Sequence, residues 1–278
     1  MIDFDLHCHS TASDGALAPA AVVARAAGQG VRVLALTDHD EVSGLDEARA
    51  AARAAGIAFV DGVEISVTWR GTTVHVVGLR IDPASAALLD GLASVKSGRV
   101  ARAQRIAAEL EGAGIPGTFD GALKYAENRS MVGRTHFARY LAEIGVVDEP
   151  KAAFRRFLVP GKPGYVPHEW ARLEDAVGWI CAAGGQAVLA HPGRYGLSAG
   201  AMDALLAAFR AAGGVAIEVV TGSHSPDQYR QYAAMAEQHD FLASRGSDFH
   251  APDEGGADFG RLPPLAVHLR PVWRDWVL

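Results

Sequence analysis

The sequence predicts an α/β chain, a parallel sheet or barrel interrupted by a small helical insertion. Three observations carry this expectation. Apolar, β-branched runs alternate with Ala-rich helical stretches through residues 1–95 and again through 166–278, the pattern of parallel strands joined by helices. Between 96 and 165 the strand signals stop, and helices broken by Gly, Pro and Asn remain. Imidazoles and carboxylates recur where apolar runs end, and on such folds functional side chains gather at the C-terminal ends of strands.

In order, residues 2–6 read as a strand leading into His7-Cys8-His9 and a Ser/Thr/Gly loop that carries Asp14. Residues two apart on a strand share a face, so His7 and His9 can offer both rings to one point, while Cys8 points away. Converging imidazoles suggest a metal ion; the alternative is a pair of histidines satisfied at a strand edge. A helix over 19–28 and a strand over 31–36 follow, the strand ending in Thr37-Asp38-His39-Asp40. A helix over 43–55, closed by Gly56, precedes a strand at 57–60 that leads to Glu64, and 72–79 is a further strand with His75 inside it.

The insertion reads as helices over 97–112, 120–127, 133–143 and 149–157, with a Pro/Gly linker at 160–165. Alternation then resumes. A helix over 173–183 precedes a strand at 186–190 that ends in His191, and a helix over 199–212 precedes a strand at 215–219 that carries Glu218. A last helix over 227–239 leads to a strand at 241–244 and the loop Gly246-Ser247-Asp248-Phe249-His250.

Composition limits the function classes. The chain has 278 residues, no apolar run of membrane-spanning length, and acidic Asp3 and Asp5 where an export signal needs a basic start. The expected compartment is the cytoplasm, and the two cysteines, Cys8 and Cys181, give no disulfide framework. The net charge of −6 argues against nonspecific coating of nucleic acid, yet residues 96–165 hold 12 Lys/Arg against 7 Asp/Glu. A basic insertion sits in an acidic scaffold.

Collected together, His7, His9, Asp14, His39, Glu64, His75, His191, Asp248 and His250 exceed what one tetrahedral ion uses, and suit two or three ions sharing a carboxylate. Arg99 and Arg102 share a helix face, and Arg134 and His136 begin another helix at Gly133. Guanidinium groups and helix N-termini both bind phosphate, so the insertion is expected to hold a phosphate remote from the one cleaved. Arg105, Arg139, Arg155 and Arg156 are expected on solvated faces. Asp38 is expected to orient a histidine or shape its loop. Arg194 could reach the phosphate being cleaved; His224 could protonate a leaving oxygen or cap a loop. His168, His239 and His268 read as structural or solvated.

The motifs His7-Cys8-His9, Thr37-Asp38-His39, His191 and Ser247-Asp248-Phe249-His250 resemble those of the PHP (polymerase and histidinol phosphatase) family over essentially the full length. Gly133-Arg134-Thr135-His136-Phe137-Ala138 and Gly164-Tyr165-Val166 are similar to the branch of nucleotide bisphosphate phosphatases and 5′-to-3′ exoribonucleases. That branch commonly has proline where Thr135 stands, a departure that touches local loop geometry. The resemblance implies a distorted seven-stranded β/α barrel with three metal positions. One takes His7, His9, Glu64 and Asp248; the second takes Asp14, His39 and His250; the third takes Glu64, His75 and His191. Glu64 would bridge, and Glu64, Asp248 and His191 would be catalytic. Two or three divalent ions are implied, Mn²⁺ first, with Zn²⁺ or Fe²⁺ as alternatives.

Ions about 3.5 to 4 Å apart can activate a shared water for attack on phosphorus. The implied reaction is removal of the 3′-phosphate from nucleoside 3′,5′-bisphosphates, with Arg99, Arg102, Arg134, Thr135, His136 and Arg194 binding substrate. Cleavage of short 5′-phosphorylated RNA is the alternative. A noncatalytic module and amide hydrolysis are less favoured, since every ligand position is filled and the insertion is basic. The partner expected is a nucleotide or short RNA, with no membrane and no protein partner evident.

Overall fold

A computed structural model describes residues 3–252, 254 and 257–277; Ile2 of the expected first strand lies outside them. Seven strands form one sheet in chain order: β1 (Phe4–Asp5), β2 (Val33–Leu36), β3 (Ala58–Trp69), β4 (Thr72–Leu79), β5 (Gln186–Leu189), β6 (Ala216–Thr221) and β7 (Leu242–Gly246). Beyond β1, the Leu6 N–H donates to Arg245 O at 3.0 Å and the His9 N–H to Phe249 O at 2.9 Å, so first and last strands meet and the barrel nearly closes. Gly246 makes this approach possible, because a Cβ there would lie 2.4 Å from Cβ of His7.

The sheet is not wholly parallel, as the strand–helix alternation had suggested. β3 pairs antiparallel with β4, and β4 antiparallel with β5. The cause is a two-residue connection, Arg70-Gly71, with φ of 46° and 79°, a tight hairpin turn whose left-handed residues match the twist of the strands it joins. β4 therefore runs backwards, and His75, near its start, arrives at the rim where the other strands end.

The helices are α1 (Pro19–Gly28), α2 (Leu45–Ala55), α3 (Ala86–Lys96), α4 (Arg99–Gly112), α5 (Thr118–Leu123), α6 (Arg134–Glu143), α7 (Pro150–Ala153), α8 (Leu173–Ala182), α9 (Ala199–Ala211) and α10 (Pro226–Gln238). The sequence pattern predicts no helix where α3 lies. Its central Gly91 weakens the helical signal, yet packing requires it, since a Cβ there would lie 2.3 Å from the Trp179 ring of α8. The single helix expected over 149–157 is instead the short α7 followed by a π-helical turn at Phe154–Leu158.

Strand alternation sorts the core into two layers. Val33, Ala35, Val60, Val77, Leu79 and Val188 fill the lumen, with Val272 among them. Leu34, Leu36, Val63 and Ile65 face outward onto Val22, Ala48, Ile180 and Leu205 of the surrounding helices. A separate cluster of Ile106, Leu110, Phe137 and Leu141 holds α4–α7 together.

Candidate metal centre

β1 and β7 set the floor of the site. Nε2 of His7 and Nε2 of His9 lie 3.2 Å apart. Oδ1 of Asp248 is 3.5 Å from the first and 3.2 Å from the second. Glu64, fully buried in β3, supplies Oε1 at 3.3 Å from His7 and Oε2 at 3.3 Å from His9. The same carboxylate meets His39 Nδ1 at 2.8 Å, His75 Nδ1 at 3.0 Å and His191 Nε2 at 3.0 Å. Glu64 thus meets five of the rim histidines. Asp14 Oδ1 faces His250 Nε2 at 3.4 Å, His39 Nε2 at 3.9 Å and His9 Nδ1 at 4.0 Å.

Three groups of donor atoms could hold an ion: His7, His9, Glu64 and Asp248; His9, Asp14, His39 and His250; and His39, Glu64 and His75. Each expected ligand reaches the rim. Relative to the sets implied by the resemblance, His9 also joins the Asp14 group and His39 joins Glu64 and His75. His191 faces the same Glu64 oxygen as His75.

The donor chemistry fits divalent cations. His9 Nδ1, Asp14 Oδ1 and His191 Nδ1 are buried without a hydrogen-bond partner, an arrangement costly unless something else binds there. Electrostatics agrees. Burial opposes charge on Glu64 and Asp248, but the surrounding imidazoles outweigh it and hold both carboxyls well below the usual range. Burial lowers His250 too, yet Asp14 and Asp248 raise it to about 9. Burial and neighbouring histidines lower His9 to about 3.

Several supports escaped the sequence reading. Glu218 accepts from Nδ1 of His7 at 2.8 Å and from the His191 N–H at 2.6 Å, so one carboxylate orients two of the rim histidines. Asp40 accepts from the N–H and hydroxyl of Ser66, and also holds Arg99. The Tyr195 hydroxyl donates to Ala190 O and accepts from the His75 N–H. Only the carboxylates left a trace in the sequence, as acids at strand ends. His191 and Asp248 adopt φ of 25° and 56°, left-handed backbone that non-glycine residues rarely take and that clusters at functional sites.

Asp38 shapes its loop, accepting from the Ser10 N–H and the hydroxyls of Ser10 and Ser13. Both nitrogens of His224 are engaged, Nε2 by the Gly193 N–H and Nδ1 by Val219 O, so it caps a loop. His168 packs against Trp170, His239 meets Asp203, and His268 is exposed.

One pocket is lined both by Asp14, His39, His75 and His250 and by Arg99, Arg102, Arg134, Thr135 and Arg194, with Phe154 and Trp170 as its aromatic walls. Arg99 bonds Asp40 and Ser66 and lies 4.7 Å over Trp170. Arg102 lies 5.2 Å over the same ring and donates Nε to Val166 O, and Arg134 donates to Leu158 O. Arg194 donates to Asp248 Oδ2 at 2.7 Å. Thr135 gives its hydroxyl to Asp14 Oδ2 at 2.8 Å.

His136 is fully enclosed and accepts from the Gly133 N–H, closing its own helix start; the structure places it behind the pocket wall. Arg105, Arg155 and Arg156 are exposed as expected. Arg139 is not. It is buried, paired with Glu254 and bonded to Asp14 O, because α6 turns that face onto the barrel loops.

A nearly closed β/α barrel that gathers imidazoles and carboxylates at one rim is a scaffold for metal-dependent hydrolysis. The chain belongs to the PHP domain family, whose profile matches residues 5–222. It is 54% identical over 275 residues to a 3′,5′-nucleoside bisphosphate phosphatase of Chromobacterium violaceum, covering 99% of this chain and 96% of that one. It is 43% identical over 275 residues to the 5′-3′ exoribonuclease Rnm of Escherichia coli, covering 98% and 93%. A Chromobacterium violaceum structure described as an amidohydrolase, with bound sulfate and no metal, superposes with a TM-score of 0.96 at 53% identity, covering 98% and 95%. Among the described residues no helix is long and apolar enough to cross a membrane.

Proposed function

We propose that the chain is a phosphatase that removes the 3′-phosphate from nucleoside 3′,5′-bisphosphates, adenosine 3′,5′-bisphosphate among them, leaving the 5′-monophosphate. The observation that carries this reading is the pair Arg102 and Arg134. Both line the pocket, and among the described residues neither has a carboxylate partner. Burial, then Arg134 and Arg99, lower Arg102 to about 9, the mark of crowded positive charge lacking an anion. A phosphate between these guanidinium groups would supply it.

Divalent ions, Mn²⁺ first, would be held by the three donor groups and would supply an activated water at neutral pH and charge neutralisation for the phosphoryl oxygens. The chain's own residues do the rest. Glu64, Asp248 and His191 form the reacting rim. Arg194, anchored on Asp248 and half exposed, binds the phosphate being cleaved. Arg102 and Arg134 bind the 5′-phosphate, while Arg99 is fixed by Asp40 as part of the same positive wall. Residues 96–165 then act as a cap on the barrel formed by 1–95 and 166–278. The likeness to the Chromobacterium phosphatase over nearly the whole chain supports this substrate class.

A second reading, 5′-to-3′ cleavage of short RNA, draws on the exoribonuclease likeness and on an open cleft beside the Asp14 loop, lined by Thr11, Gly15, Lys124, Tyr125 and Arg139. A base could stack on Tyr125 there. The test is phosphate release by Mn²⁺-loaded protein from adenosine 3′,5′-bisphosphate and adenosine 3′-monophosphate, set beside formation of 5′-mononucleotides from a 5′-phosphorylated dinucleotide. Fast release from the bisphosphate alone is expected. Equal turnover of the two mononucleotides would overturn the 5′-phosphate site, and faster cleavage of the dinucleotide would select the exonuclease.

A further inference from the structure

We propose that helix α6 is a positioning arm for Asp14, acting through Thr135 and Arg139. The insertion then completes the Asp14 group of the metal centre, and an ion bound there in turn steadies the insertion. The inference rests on the reading of the rim as a metal centre.

Asp14 lies in the loop between β1 and α1, farther from its strand than the other rim ligands. Its two carboxylate oxygens have different surroundings. Oδ2 accepts from the Thr135 hydroxyl at 2.8 Å. Oδ1 is buried without a hydrogen-bond partner and faces His250 and His39. The Thr135 bond therefore fixes which oxygen is presented to the imidazoles. A free aspartate could rotate and offer either.

Arg139 holds the backbone of the same residue. Four positions on from Thr135, it shares that helix face. Its Nη1 donates to Asp14 O at 2.8 Å, while Nε and Nη2 bind the two oxygens of Glu254 at 2.7 and 2.8 Å. Glu254 follows shortly after His250, and the Ala16 N–H donates to His250 O at 2.7 Å. One buried guanidinium thus ties α6 to both loops that supply the Asp14–His250 pair. Its three bonds converge in a fork that lysine cannot reproduce. Since the same contacts join insertion and ligand, coupling runs in both directions.

The experiment titrates metal-free protein with Mn²⁺, counts bound ions by electron paramagnetic resonance, and follows amide exchange in the peptide 134–143 with and without the ion. Thr135→Val and Arg139→Met are each expected to weaken one class of bound ion by about tenfold or more. Thr135→Ser keeps the donor and is expected to bind as the unaltered protein does. Mn²⁺ is expected to slow exchange in α6 of the unaltered protein and to slow it less in Arg139→Met. Unchanged affinity in Thr135→Val, or α6 exchange indifferent to Mn²⁺, overturns the proposal. Should Arg139→Met fail to fold by circular dichroism, the Val/Ser pair at 135 decides alone. Unaltered protein that binds no ion would instead sink the metal reading, a distinct result.

Discussion

Glu64, beneath the pocket among the rim histidines, and Arg102, on the pocket wall, are both buried charges, and they are held in opposite ways. Glu64 is planted mid-strand in β3 and ringed by five imidazoles, each within 3.3 Å. Arg102 sits on α4 against Trp170, with a single carbonyl and other arginines for company. The floor of the pocket concentrates acceptors that seek cations. Its roof concentrates donors that seek anions. The means of construction differ as well. Strand ladders set the rim, while the roof depends on a small core of its own around Ile106 and Phe137. With cations held on the floor, a substrate bridging the two would present negative charge at both ends, as the proposed nucleoside bisphosphate does.

The sharpest way to break this contrast is at the shared carboxylate. Glu64→Gln should lower phosphate release by more than the ~100-fold that loss of an outer partner produces, with bound ions falling in parallel by metal analysis. Glu218→Gln should weaken metal affinity by roughly 10- to 100-fold, since it releases His7 and His191 together; unchanged ion titration would remove Glu218 from the centre.

On the roof, Arg102→Met should raise KM for the bisphosphate about tenfold, the loss of a charge-assisted bond, with KM for the 3′-monophosphate unmoved. A parallel rise for both substrates would mean that Arg102 acts on fold rather than on the 5′-phosphate.

Proton linkage gives a gentler probe. In metal-free protein His250 is raised to about 9, so it is protonated at pH 7.5 and must lose that proton to bind an ion. Affinity for Mn²⁺ should therefore climb as pH rises toward about 9, the more steeply because neighbouring carboxylates also raise His7 and His39, with calorimetric heats that change with the buffer. A flat profile would count against these histidines as ligands. The smallest effect is expected from Ile106→Val, worth roughly 1 kcal/mol. Amide exchange should quicken in α4–α6 and stay unchanged in β5–β7, as two cores require.

Much of the rim was legible because ligand chemistry and strand ends coincide along the chain: His7, His39, His191 and Asp248 each follow an apolar run. The reversed β4 was not, since periodicity reports that 72–79 is a strand but says nothing of its direction. Asp14 was legible as a carboxylate, whereas its orientation depends on Thr135, more than a hundred residues away. Arg139 was misread because a helix of mixed composition does not show which charged face turns inward.

By itself the sequence determined most of the strands and helices, the excess of basic residues over 96–165 and the inventory of imidazoles and carboxylates, all of which follow from local pattern and side-chain chemistry. Only the tertiary structure decided that β4 runs backwards to deliver His75, that Glu218 serves two histidines, and that Arg139 joins the insertion to the metal loops. Those facts live in hydrogen bonds between residues far apart in the chain, and they exist only once the barrel has folded.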